Sequence, residues 1–318
     1  MPELAVSKGT MTRALATTAL LWGVAHPAHA QSSRVSAPIS DVSYEVTADS
    51  AAVARRQLGV SMSFHVSSNA PVLLSLPAWS PGHYVLLWFA RRVSGFTAES
   101  DGVPLDWRKT DFQTWQITPR SAGTIRVTFQ YLADAVDRAV AWTSPDFAFF
   151  NGTNLFLYPA GRGFDWPARV TVRTEPSWKI ATGMDPAPGT NSFNASNYHD
   201  LVDMPFYVGR FGFDSTLVAN RWIRLAWYPA SSLTLERQDR TFGWLRKFIP
   251  PDVAVFGEAP FRNYTLFQRS DTVVNGGGLE HQSSQVDEVL TSQLDASYLP
   301  GLYSHEFFHA WNVKRLRP

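Results

Sequence analysis

The chain has 318 residues, of which 45% are apolar and 17% are charged, so it can bury a substantial core and is neither disordered nor fibrous. Its formal net charge is +1 and it has no long basic run, which leaves no electrostatic basis for binding DNA or RNA and excludes nucleic acid as a leading partner. A chain of this length is expected to form two domains.

The first 30 residues have the pattern of a cleavable signal peptide. Lys8 and Arg13 precede an apolar, alanine-rich run over residues 14–24, and Ala28-His29-Ala30 matches a signal peptidase site. The run is shorter than the ~20 residues that a spanning helix needs, and no later stretch is apolar enough. We therefore predict cleavage after Ala30 and a periplasmic or secreted protein, with no membrane span in the mature chain.

Residues 40–215 have the period-two pattern of strands that bury one face. Apolar residues alternate with polar residues or glycine over residues 58–66 and over residues 125–131, and shorter apolar runs stand between turn-forming residues. No helix is predicted in this region. Repeated strands with Pro and Gly between them favour an antiparallel sandwich over a parallel α/β sheet, so residues 31–215 are predicted to form a β-sandwich domain.

The pattern changes after Arg221, which predicts a mixed α/β domain over residues 216–318. A further alternating strand at 223–227 precedes apolar residues spaced for one helical face, and Pro250-Pro251 is expected to end that helix. Residues 264–268 are predicted as a strand and residues 302–313 as a second helix. The whole chain is thus expected to have an α+β fold.

The second helix contains the sequence HExxH, from His305 to His309. Residues four apart share a helix face, so His305 and His309 are placed to bind one zinc ion, Zn2+. Glu306 would lie beside a water molecule activated by the ion, and it could accept the proton of that water and pass it to a departing amine. Random order would give HExxH in well under about one such chain in a hundred, which favours a metal site over a structural helix.

A second motif, GGLEH, lies 25 residues before His305. The glycine loop with Gly277 and Gly278 allows close backbone approach, and the carboxylate of Glu280 could accept hydrogen bonds from the free ammonium of a peptide. The adjacent backbone could pair with the peptide as an added strand. His281 could contact substrate or support the metal site. On its own GGLEH is a weak signal; its position ahead of HExxH strengthens it.

Four stretches together resemble the M61 family of zinc aminopeptidases, of the glycyl aminopeptidase type. They are HEFFHAWNVKRLRP at the end of the chain, GGGLEH before it, LPAWSPGHY at residues 76–84 and LVDMPFYVG at residues 201–209. The resemblance implies a β-sandwich followed by a thermolysin-like (zincin) catalytic domain. It also implies that His305 and His309 are zinc ligands, Glu306 the general base and acid, and Glu280 the anchor for the substrate amine.

The resemblance also implies a preference for N-terminal glycine and alanine, and a third zinc ligand, a glutamate on a later helix. The residues after His309 include no Asp, Glu or His, so the catalytic domain is expected to be incomplete in these 318 residues. Two alternatives stay open: a non-catalytic sandwich that binds peptide or glycan, and a zinc endopeptidase. His65, His83 and His199 are predicted to be structural. The basic cluster of Lys314, Arg315 and Arg317 could hold a substrate carboxylate or phosphate, but it is predicted to complement the dipole of the second helix.

Overall fold

The computed structural model describes residues 35–316. The predicted signal peptide, residues 1–30, lies outside the described residues. Strands in the described part of the chain form four sheets, and most neighbouring strands are antiparallel.

The largest sheet has eight strands and is built by the alternating sequences of the first half. In spatial order its strands are β15 (Asp185–Pro186), β16 (Ser192–Ala195), β13 (Ala168–Arg173), β1 (Ser40–Thr47), β2 (Gln57–Val66), β8 (Gly123–Leu132), β4 (Val93–Ser100) and β5 (Val103–Pro104). The predicted alternation holds in β2, where Met62, Phe64 and Val66 are buried while the intervening Ser63 and His65 are partly exposed. The pair β1 and β13 is parallel.

Two smaller sheets complete the first half. One has the order β14 (Lys179–Thr182), β17 (Pro205–Gly209), β11 (Phe147–Asn151), β10 (Val140–Ser144) and β9 (Asp134–Asp137), and the other β12 (Tyr158–Pro159), β3 (Val72–Ser75), β7 (Thr114–Thr118) and β6 (Asp106–Lys109). All three sheets contribute to one buried cluster, which includes Phe129, Trp115 and Phe206. Because the sheets bury their apolar faces against one another, the first half is the β-sandwich that the sequence predicts.

The expectation of no helix in residues 40–215 was wrong in detail. Short helices occur at α1 (Ser50–Arg55), α2 (Gly152–Leu155) and α3 (Tyr198–Val202). Side-chain capping defines two of them: Asp49 accepts a hydrogen bond from the amide of Ala52 in α1, and Asn197 accepts one from Asp200 in α3. Helices of one or two turns are too short to show an apolar period, so the pattern could not reveal them.

The second half contains a five-stranded sheet covered by two helices. The strand order is β18 (Gly212–Val218), β19 (Arg221–Tyr228), β20 (Asn263–Asp271), β22 (Ser284–Leu290) and β21 (Gly277–His281). The central strands β19, β20 and β22 are parallel, whereas β18 and β21 are antiparallel edge strands. Strand β18 contains residues 215 and 216, between which the sequence places a domain boundary.

The helices are α4 (Leu235–Phe256) and α5 (Leu299–Phe308), and both differ from the prediction. Helix α4 continues through Pro250 and Pro251 to Gly257, which ends it in a left-handed conformation. Proline has a φ that suits a helix, and Val253 and Phe256 beyond the prolines still pack on the core, so tertiary contacts offset the two lost hydrogen bonds. Helix α5 was predicted to reach Val313, but it ends at Phe308.

Helix α5 ends before Val313 because Trp311 packs against the end of α4 and the segment that follows it. The Trp311 ring packs on Phe256 and Phe261, and its Nε1 donates a hydrogen bond to the carbonyl of Glu258. A third buried cluster, which includes Phe147, Tyr207 and Phe267, joins the sandwich to the five-stranded sheet. Within residues 35–316, no helix has both the length and the apolar character needed to cross a membrane.

Candidate active site

Helix α5 presents the HExxH residues to a cavity because its opposite face is buried. Tyr303 and Phe307 lie in the core against α4 and the five-stranded sheet. His309 directly follows the helix but keeps helical dihedral angles, with φ −63° and ψ −16°. The rings of His305 and His309 therefore stay on one face, and their Nε2 atoms are 3.2 Å apart.

The two imidazoles fit a zinc ion. Two nitrogens bound to one tetrahedral zinc at about 2.0–2.1 Å would lie about 3.3 Å apart, close to the distance between these Nε2 atoms. Nδ1 of His309 lies 2.7 Å from the carbonyl oxygen of Asn312, to which it can donate its proton. That hydrogen bond leaves Nε2 with a free lone pair, which is the tautomer that binds metal. Among residues 35–316, no group of three or more His, Cys, Asp or Glu side chains is arranged to hold an ion.

Glu306 is buried, and its side chain lies close to Gly278. A Cβ atom at position 278 would lie within 2.6 Å of three atoms of the Glu306 side chain, so only glycine permits this approach. Burial raises the pKa of Glu306 to about 7, and the negative charge of Glu280 adds to the effect. A carboxyl group with such a pKa can both accept and donate a proton near neutral pH.

Glu280 lies on β21, the edge strand that the GGLEH sequence forms. Among residues 35–316, strand β21 pairs only with β22, so it is an edge strand of the kind to which a peptide can add as a further strand. Gly82, in the loop after β3, packs on the carboxyl group of Glu280, since a Cβ atom at position 82 would lie 2.6 Å from both carboxyl oxygens. The sandwich thus contributes directly to the site.

A cavity of about 750 Å³ brings these groups together. Of the predicted site residues, Gly278, Glu280, His305, Glu306 and His309 line it. The other two, Gly277 and His281, are not among its lining residues. Gly277 begins β21 with a φ of +91°, and His281 is buried with its ring against Asp203.

The model of the Peptidase M61 N-terminal domain matches residues 43–210, more than half of the chain, and the model of the M61 glycyl aminopeptidase matches residues 299–318.

This chain belongs to the M61 peptidase family.

Solved structures agree with that assignment at the level of the fold. This M61 chain is similar to an aminopeptidase N family protein from Idiomarina loihiensis, with 28% identity and a TM-score of 0.77 over 87% of this chain and 49% of that one. It is also similar to an M1 zinc metallopeptidase from Deinococcus radiodurans, with 15% identity and a TM-score of 0.50 over 88% of this chain and 65% of that one. The M61 chain therefore spans about half the length of the first of these. No curated protein matches it.

Sequence reasoning missed several residues of the M61 site. His83 and His199, which the sequence assigns to structural roles, both line the cavity, as does Arg138. His83 and Arg138 come from loops of the sandwich and His199 from its short helix α3, all far from HExxH in the sequence. Two stretches that resemble the family could have pointed to them. LPAWSPGHY contains His83, and LVDMPFYVG contains Asp203 and begins two residues after His199.

Lys314 was also placed differently by the structure. Instead of exposing its charge at the end of α5, it is buried with its Nζ 3.2 Å from Oδ1 of Asp203. The same Oδ1 lies 3.0 Å from Nδ1 of His281. Burial alone would raise the pKa of Asp203, but Lys314 and His281 together lower it below its usual value. Asp203 is therefore an ionised link between the sandwich and the second half of the chain.

Proposed function

We propose that this M61 chain belongs to a zinc-dependent aminopeptidase that removes small N-terminal residues, glycine and alanine, from peptides. The observation that carries the proposal is the cavity in which an edge strand with a carboxylate, Glu280, faces the HExxH residues of α5. A peptide added to β21 would place its free ammonium near Glu280. The loop at Gly82 packs against that carboxylate and so favours a peptide that ends there.

His305 and His309 would hold the zinc ion, which supplies a Lewis acid that polarises the scissile carbonyl and increases the acidity of water. Glu306 would accept the proton of the attacking water and then donate it to the departing amine. Catalytic zinc sites normally have three protein ligands. The family resemblance assigns the third to a glutamate on a later helix.

The decisive test compares Glu306→Gln and Glu280→Gln in the complete gene product, supplied with zinc. We expect Glu306→Gln to lower kcat for Gly- and Ala-p-nitroanilide by about 10²–10⁴-fold, because the proton acceptor is lost. Glu280→Gln should mainly raise KM for the same substrates, since Glu280 binds the ammonium. Glu258→Gln, at an exposed position after α4, is the matched control.

The outcomes also separate the alternatives. If Glu280→Gln keeps full activity on N-blocked peptides that the wild type also cleaves, the protein is an endopeptidase. If the wild type binds peptide but cleaves no substrate with zinc present, the protein is a peptide-binding module and not an enzyme.

We also propose that the protein is exported to the periplasm or the medium after cleavage behind Ala30. The support is the sequence pattern of residues 8–30. N-terminal sequencing of the protein from its native host should give Gln31 as the first residue. A mature protein that starts at Met1 or Met11 would contradict the proposal.

A further inference from the structure

Strand β21 has little of its own to fix its position. It has five residues and, in the part of the chain that the structure describes, pairs only with β22. It is preceded by Gly276 and begins with Gly277, which have φ angles of +69° and +91°. Glycines in an edge strand add conformational freedom, so contacts from outside the sheet must determine where Glu280 lies.

The first end of β21 is held by Arg138, from the turn between β9 and β10. Its Nη1 donates a hydrogen bond of 3.0 Å to the carbonyl of Gly276 and lies 3.6 Å from Oε2 of Glu288. Glu288 is the register partner of Gly277 on β22, and Arg269 binds its other oxygen at 2.9 Å. The side chain of Asn151 in turn binds the carbonyl of Arg138, which fixes this turn of the sandwich.

The second end of β21 is held by Asp203, between α3 and β17. Its Oδ2 accepts a hydrogen bond of 3.1 Å from the amide of Gln282, and its Oδ1 lies 3.0 Å from Nδ1 of His281. Asp203 is 5% exposed, so these bonds are protected from competing water. Lys314 binds the same carboxylate and connects it to the segment that follows His309.

We propose that Arg138 and Asp203 are positioning residues that hold the two ends of β21 and so keep Glu280 facing the cavity. The β-sandwich is then a working part of the amine-binding site. The inference rests on the proposed function for the role of Glu280, but the two contacts can be tested without activity.

The direct test is hydrogen–deuterium exchange of the complete gene product, followed by mass spectrometry of peptides from residues 274–283. Arg138→Met removes the bond to Gly276 and leaves Glu288 paired with Arg269. We expect exchange in 274–283 to become at least about tenfold faster, while β2 and β8 stay unchanged. The matched control is Arg120→Met, which removes a similar bond of an Arg Nη2 to the carbonyl of Pro104, 3.2 Å long, in the sandwich. Equal exchange of 274–283 in Arg138→Met and the control would overturn the inference.

The second end needs a paired variant, because Asp203→Asn alone leaves the charge of buried Lys314 without a partner. Asp203→Asn combined with Lys314→Met removes both charges. This variant should fold, as checked by its near-ultraviolet circular dichroism, and should exchange faster over residues 278–283. A folded double variant with wild-type exchange would also count against the positioning role.

Kinetics distinguish positioning from general stabilisation. A misplaced Glu280 should raise KM for Gly-p-nitroanilide by about tenfold in Arg138→Met, with a smaller change in kcat and unchanged zinc content. A merely structural role would reduce the active fraction, so kcat would fall while KM stayed constant.

If the wild type cleaves nothing but exchange responds as expected, the proposed function fails and the positioning inference stands. If the wild type cleaves and neither exchange nor KM responds, the inference fails alone.

Discussion

At the scale of single residues, two glycines decide where the two carboxylates of the site can lie. The side chain of Glu306 packs against Gly278 and that of Glu280 against Gly82, so closely that a Cβ atom on either glycine would overlap the carboxyl group. Gly82 also has a φ of +88°, in the left-handed region that favours glycine. The positions of both carboxylates therefore depend on two residues that have no side chain.

Replacing Gly82 by alanine should displace the carboxyl group of Glu280, since that group is the flexible neighbour of the new Cβ atom. We expect KM for Gly-p-nitroanilide to rise by about tenfold. Gly102→Ala is a matched control, because Gly102 has a φ of +77° but nothing within 4 Å of an added Cβ atom. Both variants should lose similar stability from backbone strain, measured by thermal unfolding, and only Gly82→Ala should change KM. Equal KM values in the two variants would show that Gly82 does not position Glu280.

At the scale of elements, packing set the ends of both long helices. Pro250 and Pro251 lie within α4 because residues on both sides of them contact the same core, and α5 ends early because Trp311 packs elsewhere. In α5 the most buried aromatic residue is Phe307, whose ring contacts those of Phe248 and Tyr264. The orientation of His305 and His309 depends on that packing.

Phe307→Ala should destabilise the protein by about 3–5 kcal/mol, because it removes a fully buried ring from the core. Phe308→Ala, one position along the same helix, is the control; Phe308 is only partly buried and should cost clearly less. The measurement is the free energy of unfolding in urea. Zinc binding by the folded Phe307→Ala variant, followed by calorimetry, should also weaken. Equal losses of stability in the two variants would contradict the role given to Phe307.

At the scale of the whole molecule, Asp203 joins segments that are distant in sequence. Its carboxylate binds His281 and Lys314, 78 and 111 residues further along the chain. Because its folded-state pKa is lowered, ionised Asp203 stabilises the fold above its unfolded-state pKa of about 3.9. This contribution is lost as the pH falls through the lower folded-state pKa.

Asp203→Asn should therefore lower the free energy of unfolding by about 3–5 kcal/mol at pH 7, because it also leaves the charge of buried Lys314 without a partner. The difference from wild type should shrink as the pH falls below about 4, because the carboxylate is then protonated first in the unfolded state and, at a lower pH, in the folded state. Urea unfolding at pH 7, 5, 4 and 3 would measure it. Asp239→Asn, at an exposed position on α4, controls for the loss of a surface charge. A difference that stays constant with pH would refute the stabilising role of the ionised carboxylate.

The sequence by itself determined the α+β architecture and the HExxH pair. Alternation in β2 and β8 records which face is buried, and spacing of four on a helix places His305 and His309 together whatever surrounds them. The alternation and the spacing both follow from the number of residues per repeat of a strand or a helix, so they can be derived from residues that are neighbours in the sequence.

Only the tertiary structure decided what surrounds that pair. Four residues of the sandwich reach the cavity or the strand beside it from loops or from helix α3: His83, Arg138, His199 and Asp203. The periodic pattern of the sequence does not predict which of these segments folds over which strand. The raised pKa of Glu306 likewise follows from burial and from Glu280, a neighbour in space and not in sequence. Long-range packing fixes such contacts, and for this reason the sequence revealed the HExxH motif but not the residues of the sandwich that line the cavity with it.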